Sequence, residues 1–247
     1  MKGIKSFFDK LSRYAQKFPT QTFIILGILI VTSLLIYDFY NGMAPKDLIE
    51  NITASVIEVF FLGLFVVGYN ELSKRKKDID KFRSEIFSYL PWQEKEATYR
   101  LVGLIRSLNK LKATKIYLSR GFLKEAHLVF ADLKGCTLSY ANLEKAILAV
   151  ANLELANLRR ANLKNAILVM ASLKGANLKA ANLCFANLEG SELEMVDLEG
   201  AFVDTENWIA KLKDWKCNGI EDIEKGYYIE KFIKNNKIVY RIRQKAN

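Results

Sequence analysis

One histidine, three cysteines and three prolines among 247 residues limit what this chain can do by itself. A single imidazole, His127, excludes multi-histidine metal sites, and no carboxylate–nucleophile pattern accompanies it for acid–base work. Cys136, Cys184 and Cys217 have neither paired nor metal-ligand spacing, so free thiols are expected rather than disulfides. The sequence has no Gly-rich phosphate loop and no G-x-S-x-G nucleophile elbow. A non-enzymatic protein without cofactor or metal is therefore expected.

What the chain has instead is a leucine at every fifth position. From Leu118 to Leu198 seventeen leucines keep this spacing, and Val203 closes the series. Two residues before each sits a small residue, most often Ala, and the residue between is most often Asn, as in ANLEK, ANLEL, ANLRR and ANLKA. A period of five fits neither a helix at about 3.6 nor a strand at about 2.0. An internal repeat of this length decides the architecture before any other signal.

These residues resemble the pentapeptide-repeat family, whose pattern is A-(D/N)-L-x-x, over residues 116–205. The resemblance implies a mainly β solenoid, a right-handed quadrilateral parallel β-helix in which each pentapeptide forms one side and four make a turn. Eighteen pentapeptides give about 4.5 coils, roughly 20 Å long at the ordinary strand spacing.

A second period lies inside the first. AHLVF (126–130), AILAV (146–150) and AILVM (166–170) depart most from the polar pattern, and they are spaced by twenty residues, one expected coil. Their outward positions include Val129, Phe130, Ile147, Val150, Ile167, Val169 and Met170, which mark one side of the coil as the candidate interaction face. Such a wall is expected to be covered, first by the chain's own linker or tail, otherwise by a second copy or a separate partner.

The net charge of +10 is unevenly placed. Residues 1–21 carry +4, 22–69 carry −3, 70–115 carry +6, 116–205 carry −1 and 206–247 carry +4. Basic segments thus bracket two apolar runs, 22–40 and 48–69, each near the ~20 residues that span a bilayer. They suggest a transmembrane helical hairpin. Lysines and arginines at Lys2, Lys5, Lys10, Arg13, Lys17 and 74–77 would hold both termini and the repeat in the cytoplasm of a bacterial cell, at its inner membrane. Residues 1–21 have the apolar spacing of an amphipathic segment, with Ile4, Phe7, Phe8, Leu11 and Tyr14 on one face. Glu58 falls near the middle of the second run, where a charge is costly, so it is a candidate intramembrane polar contact.

The basic stretch 70–115 is expected to be a helical linker. One helix over 71–90 ends at Pro91, and a second over roughly 93–111 places Ala97, Leu101, Leu104, Ile105, Leu108 and Leu111 on one stripe. That helix is expected to plug the open end of the coil. Residues 206–247 are expected to cap the other end, through a helix over 206–216 and a β-hairpin, 227–233 with 237–243, turning at Asn235–Asn236.

These observations favour a membrane-anchored scaffold for protein–protein interaction, whose partners would be the lipid bilayer and an unidentified cytoplasmic or membrane protein, with homo-oligomers an option. An alternative is a subunit of a small channel or transporter using Glu58. The family also contains DNA mimics that bind topoisomerases, but mimicry needs dense negative charge, and 116–205 holds nine Lys and Arg against ten Asp and Glu. No nucleic-acid partner is expected, because Lys74–Lys77 would lie beside anionic lipid.

Overall fold

The computed structural model describes Thr32, Ile36, residues 45–235 and 237–246, with side chains at Thr32, Ile36, Phe61 and from Gly63 onward. The segment 1–21 and nearly all of 22–40 lie outside the described residues. The chain divides into two compact units, Met1–Lys77 and Asp78–Asn247. In the first, the second apolar run forms part of helix α1, Pro45–Tyr89. Among the described residues, no helix is long and apolar enough to cross a membrane, so the transmembrane hairpin expected from the sequence is not supported.

The second unit is built on the repeat. Parallel bridges join residues twenty apart along all four sides, as in Asn142↔Asn162, Ile147↔Ile167, Asn152↔Ser172 and Asn157↔Asn177. The coil closes every four pentapeptides, as the sequence implies. Every leucine from Leu118 to Leu198 is buried, and so are the small residues before them. Between coils, backbone hydrogen bonds of 2.7–3.1 Å run continuously.

The pentapeptide 141–145 shows why the pattern is A-N-L-x-x. The Ala141 N–H closes a turn on Leu138, Asn142 donates to the coil before, and Leu143 and Lys145 donate to the coil after. One N–H is left over, that of Glu144, and the Asn142 Oδ1 accepts it at 3.2 Å. Asn or Asp takes the same bond at 132, 152, 157, 162, 177, 182, 187 and 197, at 3.0–3.3 Å. This is an Asx turn repeated at fixed pitch. The fifth residue of each pentapeptide has positive φ, near 55–66° from 120 to 195, which is the third position of a type II turn. Gly135, Gly175, Gly190 and Gly200 meet that demand freely, while Val150, Phe130 and Met170 meet it as side chains that seldom adopt it.

Helix α2, Lys95–Lys110, begins the unit's N-terminal cap. Ala97, Leu101, Leu104, Ile105 and Leu108 are buried, the last four in one core with the coil's leucines. Its polar side chains take over where no earlier coil exists. Thr98 Oγ1 donates to the Phe122 carbonyl at 3.0 Å, Arg106 to His127 at 3.2 Å and Asn109 to Asp132 at 2.7 Å. The Asp132 N–H returns a bond to Asn109 Oδ1 at 2.9 Å. Three sides of the open square are thus closed by one helix, which is the expected plug.

The other end is closed by the tail. Strand β1, Phe202–Val203, is followed by α3, Trp208–Asp214, α4, Ile220–Gly226, β2, Tyr227–Lys234, and β3, Lys237–Gln244. The three strands form an antiparallel sheet in the order β1-β3-β2, with Phe202 opposite Arg241 and Ile229 opposite Ile242. Residues 215–218 lie on the last coil, where Leu193 donates to Asn218 at 3.0 Å and Asn218 to Ser191 at 2.9 Å. Gly219 makes this possible: its φ is 76°, and a Cβ there would stand 2.5 Å from the Glu194 nitrogen. Trp208, Leu212, Ile223 and Ile242 complete the buried cap. The sequence pattern announces α3 and the hairpin but not α4, whose seven residues hold only Ile220 and Ile223 as apolar signal.

Leu163 has no exposed surface. Leu163→Ala should cost about 2–5 kcal/mol, because neighbouring coils are held by their own hydrogen bonds and cannot collapse into the gap. Denaturant unfolding of the full chain reads this as a lower midpoint.

Candidate functional site

Three sides of the coil carry polar ladders. Asn182 donates to Asn162 Oδ1 at 3.1 Å, and Asn162 to Asn142 Oδ1 at 3.3 Å. Ion pairs cross from coil to coil at Lys124–Glu144 (3.5 Å), Lys179–Asp197 (2.9 Å) and Lys134–Glu154. The last pair raises the Lys134 pKa and lowers that of Glu154, chiefly through their hydrogen bond.

The fourth side is different. Ile147 and Ile167 stand one coil apart at the position where Asn elsewhere accepts the spare N–H, and each neighbours an outward Ala149 or Val169. A hydrocarbon side chain cannot accept that N–H. At the adjoining corner Phe130, Val150 and Met170 are 75%, 42% and 63% exposed. Val129 and Ile167 are exposed too, while Ile147 and Val169 are half-buried. All seven candidate residues fall on one side and corner. Among the described residues nothing covers them, which corrects the expectation that the linker or tail does so. The physical reason is that both are committed to the coil's ends, where open backbone groups and leucines demand them.

His127 lies on the same side with an exposed side chain, and its backbone carbonyl accepts from Arg106. The side chain of Glu58 lies outside those described. Among the described residues, no group of three or more His, Cys, Asp or Glu could hold a metal ion.

Comparison with known proteins finds the same repeat in the sequence. A family model for pentapeptide repeats matches residues 115–148, 126–165 and 166–202, in eight copies. A pentapeptide repeat protein of Nostoc PCC 7120, alr5209, is 33% identical, covering 47% of this chain and 93% of its own, with a TM-score of 0.26. The chain belongs to the pentapeptide-repeat family. HetL, a pentapeptide repeat protein involved in heterocyst differentiation regulation in Nostoc sp. strain PCC 7120, is 34% identical over 37% of this chain, with a TM-score of 0.32. The match spans 40% of the HetL structure. The pentapeptide repeat protein Rfr23 of Cyanothece 51142 is 44% identical over 29% of this chain and 55% of its own, with a TM-score of 0.15. No curated protein matches the chain. Pentapeptide-repeat proteins are generally non-catalytic, acting as structural or interaction proteins.

Sequence pattern alone missed the corner at 120, 140 and 160. There Arg120 and Arg160 stack on Tyr140, at 5.8 and 5.5 Å from the ring centre, and Arg160 donates to the Tyr140 hydroxyl at 2.9 Å. Sorting this corner by twenty would have found the Arg–Tyr–Arg run.

Cys136 occupies an alanine position in the second coil, where its sulfur accepts the Ile116 N–H at 3.3 Å. Burial pushes its thiol from 9.0 up to about 11. Above pH 9 the unfolded chain releases this proton while the coil retains it, so the unfolded state binds fewer protons and stability falls towards pH 11. The slope reaches up to about 1.4 kcal/mol per pH unit. Cys136→Ala should remove this share of the alkaline decline, measured as the difference between the two unfolding midpoints across that window.

Proposed function

We propose that the chain is a membrane-anchored, non-catalytic interaction scaffold, whose cytoplasmic coil docks a protein partner through Phe130, Val150 and Met170 with the flanking Val129, Ile147, Ile167 and Val169. The observation that carries this reading is Ile147 and Ile167. Each gives up the Asn cap used on the other sides, and in exchange Ile147 is only half-buried and Ile167 stays exposed. Loss of such a side-chain cap costs about 0.5–2 kcal/mol at a helix end, and a local rule broken without structural gain points to a site under functional demand. Exposed apolar surface of this kind gains its stabilisation when a partner excludes water from it.

The anchor is supported by the second apolar run. In the described part of α1, Phe61, Leu64, Phe65, Tyr69 and Leu72 are each more than half exposed, and the basic Lys74–Lys77 follows them. Large apolar side chains beside lysines suit the boundary of a bilayer on its cytoplasmic side. No observation favours the channel-subunit reading, and the near-neutral coil disfavours DNA mimicry.

A photo-crosslinking amino acid placed at Phe130 of the full-length protein in native membranes should capture a discrete protein adduct. Val150→Asp with Val169→Asp should abolish that adduct while leaving the unfolding midpoint within about 0.5 kcal/mol, as for surface substitutions. An adduct that persists, or a coil that unfolds, would overturn the docking role. Recovery of the protein in the alkaline carbonate wash of those membranes would overturn the anchor.

A further inference from the structure

A cleft of about 400 Å³ opens between the coil and the C-terminal hairpin, lined by Arg160, Asn162, Asn182, Phe202, Lys234 and Val239. Its polar lining consists of cations and amides, together with the Cys184 thiol, and contains no carboxylate. The amide oxygens are already engaged. Asn162 Oδ1 accepts the Lys164 N–H at 3.2 Å and the Asn182 amide at 3.1 Å, and Asn182 Oδ1 accepts the Cys184 N–H at 3.2 Å. A backbone N–H can only donate, so these bonds fix which amide atom is oxygen. Each Asn nitrogen has two protons, and the ladder uses one. What remains for a ligand is a set of donors.

The cations have no carboxylate to neutralise them. Arg160 stacks on Tyr140 and gives one N–H to its hydroxyl, which leaves its charge and its other donors, and neither it nor Lys234 has a carboxylate partner among the described residues. Behind the cleft floor, Arg241 lies between the rings of Phe202 and Phe232, at 4.9 and 4.7 Å from their centres, with its Nε buried and without a partner. One carboxylate, Asp204, acts on Cys184 in the wall, but it is held by Lys211 at 3.6 Å and by the Phe185 N–H at 3.2 Å. A concave site with cations that no carboxylate neutralises and amide donors over an apolar floor is complementary to an anion with an apolar arm.

We propose that this cleft binds an acidic peptide segment, one carboxylate between Arg160, Lys234 and the Asn162 and Asn182 amides, and a neighbouring apolar side chain on Phe202 and Val239. A nucleic acid is the poorer fit, because phosphate tracking needs a continuous cationic path and the coil carries ten acidic residues against nine basic ones. The inference rests on the chain being an interaction protein, but it uses a surface distinct from the Phe130 corner.

The test is fluorescence anisotropy of the full-length protein in nanodiscs with a labelled Glu-Glu-Leu-Glu-Glu peptide and its all-Gln counterpart. The acidic peptide should bind saturably and less tightly as salt rises, and the Gln peptide should not bind. Arg160→Glu and Lys234→Glu, both at exposed positions, should each weaken binding by about tenfold or more, with Arg160→Gln intermediate. Absence of saturable binding, equal binding of the two peptides, or unchanged binding by both charge reversals would overturn the proposal. Displacement of the peptide by a short DNA duplex at equal concentration would overturn it in favour of a polyanion. Val150→Asp with Val169→Asp should leave peptide binding intact, so failure at this cleft and failure at the Phe130 corner are separable.

Discussion

One leftover N–H per pentapeptide governs this molecule. The square coil satisfies four of every five backbone donors through its own turns and its neighbours, and the fifth needs a side-chain oxygen two residues earlier. Leucine fills the axis and alanine lets coils approach, but it is asparagine that completes the hydrogen bonding. A buried or half-buried polar group without a partner costs about 1–3 kcal/mol, which favours Asn or Asp at this position. The same bonds hold non-glycine residues at positive φ, a conformation that costs about 1–3 kcal/mol at each corner and persists only when its surroundings over-determine it.

The ends follow from the same constraint. A stack of parallel coils exposes donors, acceptors and leucines at both terminal faces, which invites pairing with another chain. At the start, Thr98, Arg106 and Asn109 reach three different sides from one helix while its apolar stripe covers the leucines. At the finish, residues 215–218 and strand β3 supply backbone in place of a further coil. These two caps occupy the linker and the tail. Among the described residues they leave the Phe130 corner of the coil uncovered.

Two places on the coil's sides depart from the repeat's logic. Around Ile147 and Ile167 the asparagine is replaced by hydrocarbon that stays accessible. At the Asn162–Asn182 ladder the asparagines are kept, but the hairpin brings Lys234 and Val239 opposite them to form a donor-lined cleft. The first is an apolar surface and the second an anion-seeking one, so the coil presents two chemically distinct faces from one structural repeat.

Much of this was legible in the order of residues. The five-residue period determined the coil, the twenty-residue period placed Phe130, Val150 and Met170 at one corner, and the stripe Leu101–Ile105–Leu108 marked the plug. Local rules suffice there because each repeat interacts mainly with residues twenty positions away. Exposure of the apolar side was not legible, since it depends on where α2 and the tail dock, and that is decided by open backbone groups at the coil's ends. The cleft was hidden for the same reason: Asn162 and Lys234 are separated by 72 positions that follow no common period. The antiparallel pairing of β3 with β1 on the last coil, and of β2 with β3, brings them together, because the coil's last turn offers a strand edge there.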